Sequence, residues 1–117
     1  MRPAQNGGRM EVKAHQQDGI FIFHVDGEIN ISTSPELKKL FDKLSAKKVV
    51  VDLEKVTYVD SSGLATLVEM LKKMRSQGGG LGLAGLSDKV KSLFEITKLD
   101  KLFSISPNQQ EALAKLK

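Results

Sequence analysis

The sequence predicts an α/β fold in which a mixed, mostly parallel sheet of four to five strands is flanked by about four helices. Three observations predict it. Short β-branched or aromatic runs alternate along the chain with longer segments whose apolar residues recur at helical spacing. Only a tight turn separates the first two runs, which predicts an antiparallel hairpin at the N-terminus. The later runs are separated by whole helices, and right-handed crossovers of this kind join parallel strands.

The predicted hairpin comes first along the chain. Residues 10–16 alternate apolar and polar side chains, as a half-buried strand does. An Asp-Gly turn follows at 17–19. Residues 20–25 are β-branched and aromatic, in a run long enough for a strand and too short for a helix. The chain is then expected to leave the second strand over residues 26–30.

The first helix is predicted to begin at Ser34, which can cap free amides, with Pro35 at the first helical position. Its apolar stripe repeats at i, i+3, i+4 and i+7 and consists of Leu37, Leu40, Phe41 and Leu44. The continuous β-branched run at 48–53 predicts a central strand. Residues 56–59 are interpreted as a connecting loop.

The second half of the chain repeats the alternation. A helix begins at Ser61 or Ser62 and ends at the glycines of 78–80. Its predicted buried side consists of Leu64, Leu67, Val68, Leu71 and Met74. A short strand at 81–84 and a third helix follow, the helix directing inward Val90, Leu93, Phe94 and Thr97. A last strand at 103–105 precedes a terminal helix, which is expected to start at Ser106-Pro107 and run through Leu116.

Length and composition limit the classes of protein. The 117 residues fit one domain, predicted over 10–117, and residues 1–9 are expected to form a flexible leader or to precede a true start at Met10. The absence of cysteine excludes disulfides, thiolate catalysis and cysteine metal sites. No apolar run approaches the roughly 20 residues of a membrane span, and nothing resembles a signal peptide. A cytoplasmic location without a membrane partner is therefore predicted.

The formal net charge of +4 raises the question of nucleic-acid binding. The lysines are scattered over predicted helix surfaces among acidic residues, and aromatic residues make up only 5% of the chain. Nucleic-acid surfaces need clustered basic residues and usually aromatic platforms, so no such partner is expected. His15 and His24 lack the helical spacing of metal ligands. No metal and no cofactor is expected.

Functional residues of such sheets gather in the loops beyond the carboxyl ends of the strands, here 27–34, 54–63 and 85–89. The second loop holds an Asp-Ser-Ser-Gly segment at 60–63. One interpretation is a helix cap, for which a single Asp or Ser side chain is enough. The other is a phosphorylation site, because a phosphate there would meet free amides and the positive end of the helix dipole. The pattern alone leaves both interpretations open.

Residues 49–67 closely resemble the signature of STAS domains, and specifically of bacterial anti-sigma-factor antagonists: a hydrophobic strand ending in Asp-Leu, then a loop reaching Asp-Ser-Ser-Gly-Leu. Residues 25–37 and 86–103 are also similar to that family. The resemblance covers the chain from Met10 onward and implies the STAS fold. The family often has Asp where this chain has Asn30, and many of its members are acidic.

The resemblance implies a partner-switching cycle without catalysis by the chain itself. The unphosphorylated antagonist binds an anti-sigma factor, which is an ATP-dependent serine kinase, and so releases a sigma factor. The kinase phosphorylates the serine after the Asp, here Ser61, and a separate phosphoserine phosphatase resets the protein. The partner-binding residues implied are Gly27, Glu28, Asn30, Asp60, Ser61, Ser62, Gly63 and Ser87.

Two other functions remain as alternatives. The same fold can serve as a STAS subunit of a transporter, such as the lipid-transport ABC systems, or as a domain of a larger signalling assembly. An enzyme is the second alternative, but the sequence has no evident base–nucleophile pair and no metal-ligand set. Residues 61–63 also lack the leading glycine of a hydrolase nucleophile elbow.

Overall fold

The structure is a computed structural model, and it describes residues 9–44 and 46–117. The predicted leader therefore lies outside the described residues, apart from Arg9. The elements are, in chain order, β1 (Met10–Gln17), β2 (Ile20–Ile29), α1 (Ser34–Asp42), β3 (Lys48–Val59), α2 (Ser61–Ser76), β4 (Gly80–Ala84), α3 (Asp88–Ile96), β5 (Ser104–Ser106) and α4 (Gln109–Leu116), with a 3-10 turn at Leu99–Lys101 before β5.

The strands form one sheet in the order β1-β2-β3-β4-β5. β1 and β2 are antiparallel, and every later pair is parallel. The predicted mixed sheet with its N-terminal hairpin and four helices is confirmed. Because β2, β3, β4 and β5 run in the same direction, their carboxyl ends meet at one edge of the sheet, where the loops of the site lie.

The strand exit predicted over residues 26–30 and the loop predicted at 56–59 are wrong, because β2 continues through Ile29 and β3 continues through Val59. Ile29 pairs with Val59 in the parallel ladder, and both side chains are buried in the core. The ladder continues past register shifts on either side of Gly27, whose φ is +113°. Burial of apolar side chains on paired strands outweighs the turn-like Asp-Gly composition that suggested a loop.

The helices cover the two faces of the sheet unequally. α1, α2 and α3 lie on one face over the larger core, in which Phe23, Val51 and Leu67 are almost completely buried. α4 lies on the other face over a smaller core that includes Ile22 and Val50. The predicted apolar stripes of α1 and α2 face the larger core, with Leu40, Leu44 and Val68 only partly buried. Met70 is buried on the same side of α2.

Two predicted helix starts, at Ser34 and Ser106, are wrong, and so is the predicted inward direction of the Thr97 side chain. Thr33, not Ser34, occupies the N-cap position of α1, and Ser34 is a buried first residue. Ser106 belongs to β5, and Asn108 caps α4 by accepting a hydrogen bond from the Glu111 amide. Thr97 is exposed at the C-cap of α3, because its hydroxyl donates back to the preceding turn. Within the described ranges, no helix is long and apolar enough to cross a membrane.

Candidate functional site

The predicted site residues gather where β2 and β3 end and α2 begins. Ser61 is the first residue of α2, and its side chain is exposed. Ser62 is half-buried beside it. Glu28 and Asn30 come from the end of β2 and the loop after it, and both are half-buried. The structure thus brings the first two predicted loops together at one edge of the sheet, and Lys89 of the third predicted loop lines a groove beside Ser61.

Asp60 connects these two loops. It has extended backbone angles at the N-cap of α2, and its Oδ1 accepts a hydrogen bond of 2.9 Å from the Gly63 amide. Its other oxygen, Oδ2, accepts a bond of 3.0 Å from the Ile31 amide. Its own amide donates to the Ile29 carbonyl at 3.1 Å. Asp60 therefore caps the helix and also holds the loop after β2 against it.

Asn30 organises the loop between β2 and α1 from within. Its Oδ1 accepts hydrogen bonds from the Ser32 amide at 2.9 Å and from the Thr33 amide at 3.0 Å, which is an Asx-type turn. Its Nδ2 donates to Glu28 Oε1 at 3.2 Å. The buried Thr33 hydroxyl accepts from the Asn30 amide and donates to the Glu28 carbonyl, both at 2.8 Å. The loop is thus fixed by its own side chains.

Gly63 allows the first turn of α2 to lie directly on the strand ends. A Cβ at this position would collide with the Ile29 carbonyl oxygen and would lie 2.9 Å from side-chain carbons of Ile29 and Val59. Gly27 has a different role, because a Cβ there would collide with the Arg9 carbonyl and φ is +113°. Both glycines of the predicted site are needed for close backbone approach.

A mostly apolar groove of about 300 Å³ opens beside Ser61, between the start of α2 and α3. Residues from three elements line it: Tyr58, Val59, Asp60, Ser61, Leu64, Lys89, Val90, Leu93 and Thr97. Lys89 crosses toward β3, and its Nζ lies 5.8 Å from the centroid of the Tyr58 ring. Ser61 therefore stands at the edge of a surface suited to receive apolar side chains.

Ser87 occupies the third predicted loop and has a structural role. It is the N-cap of α3, and its Oγ accepts a hydrogen bond of 3.3 Å from the Val90 amide. It is half-buried and does not line the groove, whereas Val90 in the first turn of the helix does. Ser87 thus acts on the groove by positioning α3.

Sequence reasoning missed three residues at this edge of the sheet. Ile31 is 72% exposed and Tyr58 is 43% exposed. In the sequence, Lys89 looks like any of the lysines scattered over helix surfaces, and nothing distinguishes it from them. Alternation did not signal Tyr58, because the buried Val56 and Val59 are three positions apart, a spacing that does not keep two residues on one face of a regular strand.

The site has no catalytic arrangement among the described residues. Its hydroxyls, Ser61 and Ser62, have no histidine neighbour, because His15 and His24 stack on one another at 5.0 Å within the β1–β2 ladder. His24 Nδ1 lies 3.4 Å from Asp52 Oδ2 there. No group of three His, Cys, Asp or Glu side chains capable of holding a metal ion occurs in the described part of the chain. The geometry fits a binding surface.

Comparison with known proteins identifies the family. The sequence matches the STAS domain over residues 11–112. It is 39% identical over 99 residues to an anti-sigma-B factor antagonist of Listeria monocytogenes, with 82% of this chain and 86% of that protein covered. It is 32% identical over 100 residues to an anti-sigma-B factor antagonist of Staphylococcus aureus, with 83% and 93% covered.

A solved structure is similar throughout. The crystal structure of an anti-sigma factor antagonist from Mycobacterium paratuberculosis superposes with a TM-score of 0.88 at 25% sequence identity. The superposition covers 97% of this chain and 98% of that one. The five-stranded sheet and its four helices are therefore an arrangement that this solved relative shares.

Proposed function

Because the chain belongs to the STAS domain family, we propose that it is an anti-sigma-factor antagonist whose partner binding is switched off by phosphorylation of Ser61. The unphosphorylated form binds an anti-sigma factor that is also an ATP-dependent serine kinase, and this binding releases a sigma factor. Phosphorylation ends the contact, and a separate phosphatase restores it. The proposal rests on the antagonists named above and on the surroundings of Ser61.

The observation that carries the proposal is the contrast between Asp60 and Ser61. Both Asp60 oxygens accept backbone hydrogen bonds, so this residue is committed to structure. Ser61, the next residue, is exposed, and its hydroxyl makes no hydrogen bond to another described residue. The capping interpretation therefore accounts for Asp60 and leaves Ser61 free for modification.

The start of α2 can accept a phosphate without unfolding. The first amides of any helix have no intrahelical acceptor, and the dipole favours negative charge at this end. The Gly63 amide donates the cap hydrogen bond to Asp60 Oδ1, so modification of Ser61 leaves that bond in place. Phosphorylation is then expected to change the surface while the fold stays intact.

The surface around Ser61 supports a close protein contact. The groove presents the apolar side chains of Leu64, Val90 and Leu93 beside the serine. The loop after β2 is fixed by Asn30 and carries the exposed Ile31. A phosphate adds almost two negative charges and a layer of bound water, which opposes close apolar packing. The same addition on a loosely packed surface would have little effect.

The implied partner-binding residues divide into two groups in this proposal. Glu28, Ser61 and Ser62 face the partner. The others shape the surface: Gly27 and Gly63 by close backbone approach, Asn30 by fixing the loop after β2, and Asp60 and Ser87 by capping. We further propose that residues 10–117 act as one non-enzymatic binding domain in the cytoplasm.

Phosphate mapping tests the modified position. The protein is incubated with ATP and the kinase encoded beside it, and the modified residue is identified by mass spectrometry. We expect one phosphate on Ser61, none in Ser61→Ala, and normal incorporation in Ser62→Ala, the matched control. Equal incorporation in Ser61→Ala and the wild type would rule out this assignment.

A further inference from the structure

Lys89 is a cation in the groove of the candidate phosphorylation site, and it has no acidic partner among the described residues. It is the second residue of α3, is exposed, and lines the same groove as Ser61. Its ammonium lies 5.8 Å from the centre of the Tyr58 ring. None of the ion pairs formed by the described residues involves it.

The charged side chains lining this groove are Asp60 and Lys89. Both oxygens of Asp60 accept backbone hydrogen bonds, from Gly63 and from Ile31, and its position is fixed by them. Lys89 has a flexible stem, and its ammonium lies over the Tyr58 ring. The groove therefore contains an available cation and, in the unphosphorylated protein, no available anion.

We propose that Lys89 is the counter-ion of phosphorylated Ser61, and that phosphorylation moves its ammonium from the Tyr58 ring to the phosphate. This inference rests on the proposed phosphorylation of Ser61. The phosphate prevails because it offers two negative charges and charge-assisted hydrogen bonds, whereas the ring offers only the weaker attraction of its quadrupole. Ser61 and Lys89 line one groove, and the flexible lysine stem lets the ammonium move within it.

The contact would give the switch a second component. The phosphate itself adds charge and bound water beside α2. The Lys89–phosphate pair in addition lays the lysine stem across the mouth of the groove between α2 and α3 and uncovers Tyr58. The apolar surface offered to a partner is thereby changed on both sides of the groove.

A phosphorus NMR titration tests the pair without depending on any kinase. Phosphoserine is placed at position 61 during translation, and the second pKa of its phosphate is measured. Lys89→Gln should raise this pKa by about 0.2 to 0.7, the range that an exposed ion pair implies. Lys89→Arg should restore the low value. Lys91→Gln, the same charge change at an exposed position of α3 outside the groove, should leave it unchanged.

The fluorescence of Tyr58 gives a second readout, because the chain has one tyrosine and no tryptophan. Phosphoserine at position 61 should change this emission in the wild type and in Lys91→Gln, and should leave it unchanged in Lys89→Gln. Equal phosphate pKa values in Lys89→Gln and Lys91→Gln would overturn the proposal. The protein used in these two experiments already carries phosphoserine at position 61, so their results do not depend on a kinase. Failure of the kinase to modify Ser61 would therefore count against the proposed function and not against the Lys89–phosphate pair.

Discussion

The Asp60 carboxylate lies 3.0 Å from the Ile31 amide, a hydrogen bond between residues 29 positions apart. The same carboxylate caps α2 through the Gly63 amide. One side chain thus couples the helix that begins at Ser61 to the loop that carries the exposed Ile31. The two parts of the candidate surface are held in a fixed relation.

Removal of this carboxylate should weaken the fold and loosen the loop. Asp60→Ala loses the cap and the Ile31 bond together, and we expect a loss of about 1–2 kcal/mol in the free energy of unfolding. Asp60→Asn keeps a cap oxygen and should lose less than half of that. Urea denaturation of both variants measures the loss in the free energy of unfolding. A loss below about 0.5 kcal/mol in Asp60→Ala would show that the cap contributes little.

Gly63→Ala should destabilise the protein although alanine is the better helix former. The propensity gain of about 0.5–1 kcal/mol is outweighed by the collision of the new Cβ with the Ile29 carbonyl oxygen. We expect a net loss of about 1–3 kcal/mol. Gly82→Ala is the matched control, since its Cβ would meet its nearest neighbours at an ordinary 3.8 Å. Equal melting temperatures for the two variants would show that α2 can shift to accommodate the methyl group.

Leu67→Ala tests the buried face of α2. Leu67 is 0% exposed, so its truncation should cost about 2–5 kcal/mol. Lys72→Ala, on the exposed side of the same helix, should stay within about 0.5 kcal/mol of the wild type. The denaturation midpoints of the two variants measure both stability changes. Similar midpoints would mean that the helix faces the sheet differently.

These stability tests address the parts of the fold that the sequence could predict. The period-2 and helical patterns predicted the order of the elements, because each buried face imposes its own spacing. They failed at residues 56–59, where pairing with a neighbouring strand, which is distant in sequence, decides between strand and loop. They failed again at Ser106, whose Ser-Pro pattern is typical of a helix start but which lies in β5.

The candidate site was predictable only in part for the same reason. Asp60 and Ser61 are adjacent in sequence and belong to one motif. The groove depends on Tyr58 and Lys89, which are 31 positions apart and are brought together by the packing of α3 beside β3. No local sequence pattern predicts that Tyr58 and Lys89 lie close together.

Ser61→Asp should reproduce the switch in part. An aspartate carries one negative charge where phosphoserine carries almost two, so partner binding should be weaker than in the wild type and tighter than in the phosphoprotein. The melting temperature should hold or rise slightly, because the helix dipole favours the carboxylate by about 0.3–1 kcal/mol. Ser61→Asn, of the same size without the charge, is the control and should bind more tightly than Ser61→Asp. Equal affinities for these two variants would show that volume, and not charge, weakens the contact.

Calorimetric titration of the anti-sigma factor with the unphosphorylated protein and with the protein phosphorylated on Ser61 tests the central claim most directly. We expect the phosphoprotein to bind at least about 100-fold more weakly, since opposing a nearly dianionic group in a close contact costs several kcal/mol. Ser61→Ala should bind like the unphosphorylated wild type, whether or not it has been incubated with kinase and ATP. Indistinguishable affinities for the two forms of the wild type would contradict the phosphorylation switch.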